Sequence, residues 1–289
     1  MSVPIEQGRP YKANPPFSME HRAFGSTGLQ VPIVGMGTWK TFDVRGKAAD
    51  ERVLVTDAAF ETDATLFDSS PMYGEAERVL GRTLAGRRDR AIVATKVWTS
   101  NDTEAEQQMT AALEYFERRV DIYQVHNLVA WRKRLSQLQR LKDAGTVRVI
   151  GLTHYSPNAF GDLLQAMKDP RVQAIQVPYN PLERCVESKI LPAAADLGLG
   201  VIVMRPFGEG SLLRARVAGA ALAPLAPFGI TSWPQALLKW ILSDPRCHVA
   251  IPATSSPDHL RANAIAGNKP WLGPDEREYI CNLADGHRS

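Results

Sequence analysis

The stretch "LFDSSPMYGEAE", Leu66–Glu77, begins as a short apolar strand and ends as a polar turn broken by Gly74, with Asp68 and Tyr73 at the join. Runs of the same kind recur at Ile33–Thr38, Thr65–Ser70, Ala91–Val97, Val120–His126, Val147–His154, Ala174–Asn180, Val201–Pro206 and Val249–Thr254. Most are nearly continuous in apolar residues, which suits parallel strands covered on both faces. Stretches of helical length lie between them. In "TEAEQQMTAALEYFERR" the residues Met109, Leu113 and Phe116 make a packing stripe. "AWRKRLSQLQRLKDAG" does the same with Leu135, Leu138 and Leu141, then stops at Gly145.

Eight such strands, each followed by a helix or loop, predict a (β/α)8 TIM barrel, a fold of about 250 residues. An open doubly wound sheet would carry a GxGxxG turn after a strand, and "GMGTWK" and "GEGSLL" both lack the third glycine. Ahead of the first barrel strand, "RAFGSTGLQVP" reads as a β-hairpin turning at "GSTG" and capping the barrel bottom. Residues 1–21 read as an irregular N-terminal arm and residues 22–289 as a single domain.

The composition, 44% hydrophobic and 22% charged, is that of a globular protein, and 289 residues can bury most of their apolar surface. A net charge of +3 gives no reason to expect a nucleic-acid or membrane partner. "RRDR", Arg87–Arg90, is short and reads as a solvated turn. The three cysteines, Cys185, Cys247 and Cys281, lie far apart without a CxxC spacing, which favours a reducing compartment over a disulfide framework or a zinc site. With no run of about 18 apolar residues and no basic-then-apolar leader pattern, a cytoplasmic location is expected.

In a parallel barrel all strand C-termini share one rim, and active sites sit there. The polar groups closing the strands are Asp68 with Tyr73 in its loop, Lys96, His126, Thr153 with His154, Gln176, Arg205 and Thr254. A lysine closing an apolar strand needs an anion nearby, and Asp68 on the neighbouring strand can supply it. A phenol is a weak acid at neutral pH unless a neighbouring ammonium lowers its pKa. Tyr73 beside Lys96 and His126 could then hand a proton to an oxygen becoming an alkoxide, the need of carbonyl reduction. A metal-dependent barrel would want more rim ligands than Asp68, His126 and His154, so no metal is expected.

"FDSSPMYGEAERVLGRTL", "VATK", "YQVHN", "IQVPYNPLE" and "IPATSSPDHLRAN", in this order, resemble the aldo-keto reductase superfamily from about Arg22 to the final helix. The resemblance implies a barrel binding NADPH, or sometimes NADH, in extended form, and hydride transfer to a small-molecule aldehyde or ketone. It implies Tyr73 as proton donor, Lys96 lowering its pKa, Asp68 holding Lys96, and His126 positioning the carbonyl. Members that look like this occur as monomers and as oligomers. Ion-channel subunits that resemble the family suggest an alternative, a nucleotide-binding barrel acting as a redox sensor or assembly subunit with little turnover.

For the cofactor the resemblance implies Gly37, Thr38 and Trp39 after strand one, and Thr153 and His154 where many members have Ser-Asn. It also implies Gln176 for the carboxamide, and Met204 where many have a stacking tyrosine, followed by Arg205, Pro206, Phe207 and Gly208. After the last strand, Ala253 and His259 stand where NADPH-preferring members carry a lysine and an arginine, with Thr254 alongside and Asn263 kept for the adenine. The loss of two cations predicts weaker selection for NADPH, with Arg261 as a substitute grip. Trp39 and Trp98 are expected to wall the substrate pocket, and the apolar loop "SLLRARVAGAALAPLAPFGI" after strand seven to line or cover the site.

Overall fold

The computed structural model describes residues 19–215 and 217–286. The expected N-terminal arm therefore lies, up to residue 18, outside the described residues. Two short strands, β1 (His21–Ala23) and β2 (Gln30–Pro32), pair antiparallel as the expected hairpin. Eight parallel strands follow: β3 (Met36–Gly37), β4 (Leu66–Asp68), β5 (Ile92–Val97), β6 (Val120–His126), β7 (Val147–Thr153), β8 (Ala174–Pro178), β9 (Gly200–Met204) and β10 (Val249–Ala250). They are hydrogen-bonded in sequence order, and parallel bridges from Val34 to Ala250 and from Gly37 to Ala253 join first to last. The chain folds as a (β/α)8 barrel with an N-terminal hairpin.

Strands one and eight hold less regular ladder than the expected Ile33–Thr38 and Val249–Thr254. Pro252 cannot donate to a ladder. At Gly37 an added Cβ would lie 2.9 Å from the Ile251 carbonyl, so the seam closes tightly where no side chain intervenes.

Period-two alternation sorts the strand residues into two cores. Leu66, Ala94, Ile122, Val149, Ala174, Ile202 and Val249 fill the barrel interior. Phe67, Val93, Tyr123, Ile150, Ile175 and Val201 face the surrounding helices, where they meet Met109, Phe116, Leu135 and Leu138.

Phe24, Leu29 and Val31 of the hairpin join the interior cluster and plug the N-terminal end of the barrel. Phe24 is fully buried, and a Cβ at Gly200 would stand 2.5 Å from its ring. The Ser26 N–H donates to the Gly198 carbonyl at 2.8 Å, which ties the turn to the start of β9.

"RRDR" is not a solvated turn throughout. Arg88 is buried, donates to Asp121 Oδ2 at 2.8 Å, and reaches the carbonyls of Ala91, Phe116 and Arg119. Asp121 also accepts the Val93 N–H, so the pair clamps the N-terminal ends of β5 and β6. Its partners lie far along the chain, which is why local composition misreads it.

The loop after β9 forms short helical turns at Leu212–Arg214, Gly219–Leu222 and Ala223–Phe228. Leu212, Leu222 and Leu225 pin it to the core. Among the described residues, no helix is long and apolar enough to cross a membrane.

Candidate active site

The alternation that buries Leu66, Ala94, Ile122 and Ala174 turns Asp68, Lys96, Gln124 and Gln176, two residues further on, into the same interior. These four make a polar layer at the C-terminal end of the barrel, all but inaccessible to solvent. The Lys96 ammonium donates to Asp68 Oδ1 at 2.7 Å, to Asp68 Oδ2 at 2.8 Å and to the Ser69 carbonyl at 2.8 Å. Gln124 donates to Gln176 Oε1 at 2.9 Å, and Gln176 donates to Asp68 Oδ2 at 3.4 Å. Burial pushes the Asp68 carboxyl up and the Lys96 ammonium down, each opposed by the charge of the other.

After β4 the chain enters a 3-10 turn, Pro71–Tyr73, whose first N–H group (Met72) is capped by Ser70 Oγ at 3.2 Å. Pro71 presets the turn, and it delivers Tyr73 over the polar layer, with Lys96 Nζ 5.5 Å from the ring centroid. Burial holds the Tyr73 phenol above its ordinary pKa; Asp68 pushes the same way and Arg205 opposes. The sign reverses the expectation of a phenol lowered by Lys96. The cost of ionising a buried phenol, reinforced by the Asp68 carboxylate, keeps Tyr73 in its proton-carrying form.

His126 meets Tyr73 edge-on, with ring centroids 5.9 Å apart. Burial, then the charges of Lys96 and His154, lower its pKa to about 3, so the imidazole is neutral at physiological pH. Its Nδ1 lies 2.9 Å from Ser70 Oγ. That oxygen also accepts the Met72 N–H, so one hydroxyl joins the turn to the imidazole. A protonated phenol and an imidazole N–H at one site can together stabilise negative charge growing on a carbonyl oxygen.

Tyr73, His126, Asp68 and Gln176 line a cleft of about 640 Å³ at the rim. Of the remaining expected residues, Gly37, Thr38, Trp39, Trp98, Met204, Arg205, Pro206, Phe207 and Ala253 line it too. Met204 also packs on the interior core, so it both fills the barrel and faces the cleft. Gly208 lines an adjoining cavity instead, shared with Glu183 and Arg214. Thr153 lies just beneath, 1% exposed, and its Oγ1 is buried with no hydrogen-bond partner among the described residues. His154 stacks on Tyr155 at 5.5 Å and accepts the Ser156 N–H. Thr254 Oγ1 accepts the Ser256 N–H, while His259 is exposed and Asn263 buried on the following helix.

Sequence reasoning missed Ser70, Gln124, Lys40 and Tyr155. Ser70 and Gln124 had a signal, since each sits two positions from a predicted rim residue and period two puts both on one face. Lys40, 4.0 Å above the Trp39 ring, and Tyr155, beneath the Arg205 guanidinium at 4.7 Å, had none. Arg205 has φ +55° and is held by Glu209 at 2.8 Å, while buried Asn180 donates to its carbonyl at 3.0 Å.

Fold and cleft define a (β/α)8 barrel with its candidate site at the C-terminal rim. The aldo/keto reductase family model matches residues 33–284, and the chain belongs to that family of oxidoreductases. It is 29% identical over 221 residues to an aldo-keto reductase of Bacillus subtilis, YhdN, across 70% of this chain and 64% of that protein. It is 27% identical over 247 residues to the methylglyoxal reductase YeaE of Escherichia coli, across 82% and 85% of the two chains. The crystal structure of an aldo-keto reductase from Klebsiella pneumoniae in complex with NADPH superposes with a TM-score of 0.78, at 24% identity over 92% of this chain and 95% of that one.

Proposed function

We propose that residues 22–289 form one catalytic domain that reversibly reduces an aldehyde or ketone to an alcohol, using a nicotinamide dinucleotide and Tyr73 as general acid. NADPH is the first candidate, since a structural neighbour was crystallised with it, and NADH is admitted. The observation that carries the reading is the proton-carrying Tyr73 phenol facing the cleft beside neutral His126, above the Lys96–Asp68 pair.

The residues present fit the nicotinamide end of such a cofactor. The buried Thr153 hydroxyl lacks a partner among the described residues, Gln176 lies in β8 at the cleft wall, and Met204 offers an apolar face. When bound, the reduced nicotinamide supplies the hydride for the carbonyl carbon. The chain's own residues do the remainder. His126 Nε2–H and the Tyr73 hydroxyl hold the carbonyl oxygen, and Tyr73 releases its proton as charge builds there. Lys96, fixed by Asp68, stabilises the resulting phenolate. Trp39, Trp98 and Met72 exclude water and accept an apolar or flat flank on the substrate.

Tyr73→Phe provides the test, with aldehyde-dependent oxidation of the reduced cofactor followed at 340 nm and cofactor binding followed by tryptophan fluorescence. Turnover should fall by at least about a hundredfold with binding retained. Unchanged turnover would refute Tyr73 as the acid, and tight binding without turnover by the unaltered protein would favour the sensor role.

A further inference from the structure

We infer that this chain does not select for the 2′-phosphate of NADPH and binds NADH at least as tightly; the inference rests on the proposed use of a nicotinamide dinucleotide. A phosphate dianion is held by cations with free donors and by unclaimed backbone N–H groups at a helix start. The end of the cofactor site assigned by the resemblance, after β10 and along the helix Pro257–Ala264, has its arginine held by two carboxylates and two of its leading N–H groups capped by side chains.

Ala253 brings a methyl group where a lysine would be expected. Arg261, the substitute the sequence offers, is already occupied. Its Nε and Nη2 donate to Glu61 Oε2 at 2.9 and 2.8 Å, and its Nη1 donates to Asp258 Oδ1 at 3.0 Å. Glu61 ends the helix Lys47–Glu61, and Asp258 opens the helix that carries Arg261, so one cation is held between two carboxylates. The formal sum of the three charges is negative, and an arriving dianion must displace carboxylates or face them.

The helix start is partly claimed as well. Ser256 Oγ accepts the His259 N–H at 3.3 Å, and Thr254 Oγ1 accepts the Ser256 N–H at 3.1 Å. A free ribose hydroxyl meets no such opposition, and a nearby carboxylate is a hydrogen-bond acceptor for it. The arrangement therefore suits the unphosphorylated ribose better than its phosphate ester.

Titration of the full chain with NADH and with NADPH, read by tryptophan fluorescence, tests this without turnover. The unaltered chain should bind NADPH no more tightly than NADH. Glu61→Gln combined with Asp258→Asn removes only exposed partners, which are worth little to stability. The released guanidinium should then tighten NADPH by roughly tenfold relative to NADH. Arg261→Ala in the otherwise unaltered chain should leave the NADH-to-NADPH ratio where it was. A preference for NADPH in the unaltered protein, a ratio unmoved by the double variant, or a selective loss of NADPH with Arg261→Ala would each overturn the inference. Binding of neither cofactor would overturn the dinucleotide reading itself, and this proposal with it.

Discussion

Ser70 Oγ and His126 Nδ1 meet at 2.9 Å, and through that contact the turn that delivers Tyr73 also orients the His126 ring. The carbonyl-binding partner and the proton donor are thus set by one short segment after β4. Ser70→Ala should leave the fold intact and the cofactor affinity unchanged, because among the described residues the hydroxyl is hydrogen-bonded to Met72 and His126 alone. Turnover should drop by about tenfold to a hundredfold, as the imidazole loses its orientation. Steady-state kinetics with an aldehyde check it, and an unchanged kcat would show that packing alone holds the ring.

The His126 imidazole, pushed to about 3 by burial, then by Lys96 and His154, stays neutral through the working range. Its folded pKa lies below the unfolded value near 6.5, so the stability it contributes is present above pH 6.5 and is lost on acidification toward 3. The expected kcat/KM profile therefore has no limb from His126 between pH 5 and 8. A break near 6.5 that vanishes in His126→Gln would contradict this.

Glu77 titrates with the opposite sign. It is buried behind β5, accepts a hydrogen bond from Thr95, and burial raises its pKa from 4.5 to about 7. The folded state holds the proton longer, so the contribution is full below pH 4.5 and is lost as pH rises through 7. The loss between pH 5 and 8 is roughly 2–3 kcal/mol, and Glu77→Gln should remove it. Guanidinium unfolding of both proteins at the two pH values measures the difference, which also cancels the opposing histidines.

Lys96→Met removes one partner of a buried ion pair, at a cost of roughly 3–5 kcal/mol. Burial already pushes the Asp68 carboxyl up, so without the ammonium it will be protonated when folded. The variant should lose activity, and its melting temperature should fall more steeply with rising pH than that of the unaltered protein. Parallel thermal melts at pH 5 and pH 8 would reveal a pH-independent loss if the carboxyl stays charged.

Phe24→Ala should cost about 3–5 kcal/mol by emptying the barrel's lower end, where the ring lies against Gly200. Chemical denaturation reads the loss, and cofactor affinity should not move because the rim is at the opposite end.

Much of this was legible in the sequence, for a physical reason. Parallel strands buried on both faces write themselves as apolar runs, so "AIVATKV" and "VDIYQVH" announced β5 and β6, with Lys96 and His126 at or near their ends. Asp68 and Tyr73 stood out because charge and phenol interrupt such a run. Arg88 was misread because its carboxylate partner, Asp121, comes from another strand, and only tertiary contact brings them together. The sign of the Tyr73 shift was misread because the burial of the phenol, the largest cause, and the charge of Asp68 upon it arise only when the barrel closes. Arg261 looked available for the same reason: Glu61 lies on a helix distant in the chain.

The hairpin that stoppers the barrel imposes an order on synthesis. Phe24 needs Gly200 beneath it, and Val34 needs Ala250 beside it. Phe24 thus waits for residue 200, and Val34 for residue 250, before either contact can form. Until then the apolar faces of Phe24, Leu29 and Val31 have no barrel to enter, which leaves the nascent hairpin in need of chaperone cover.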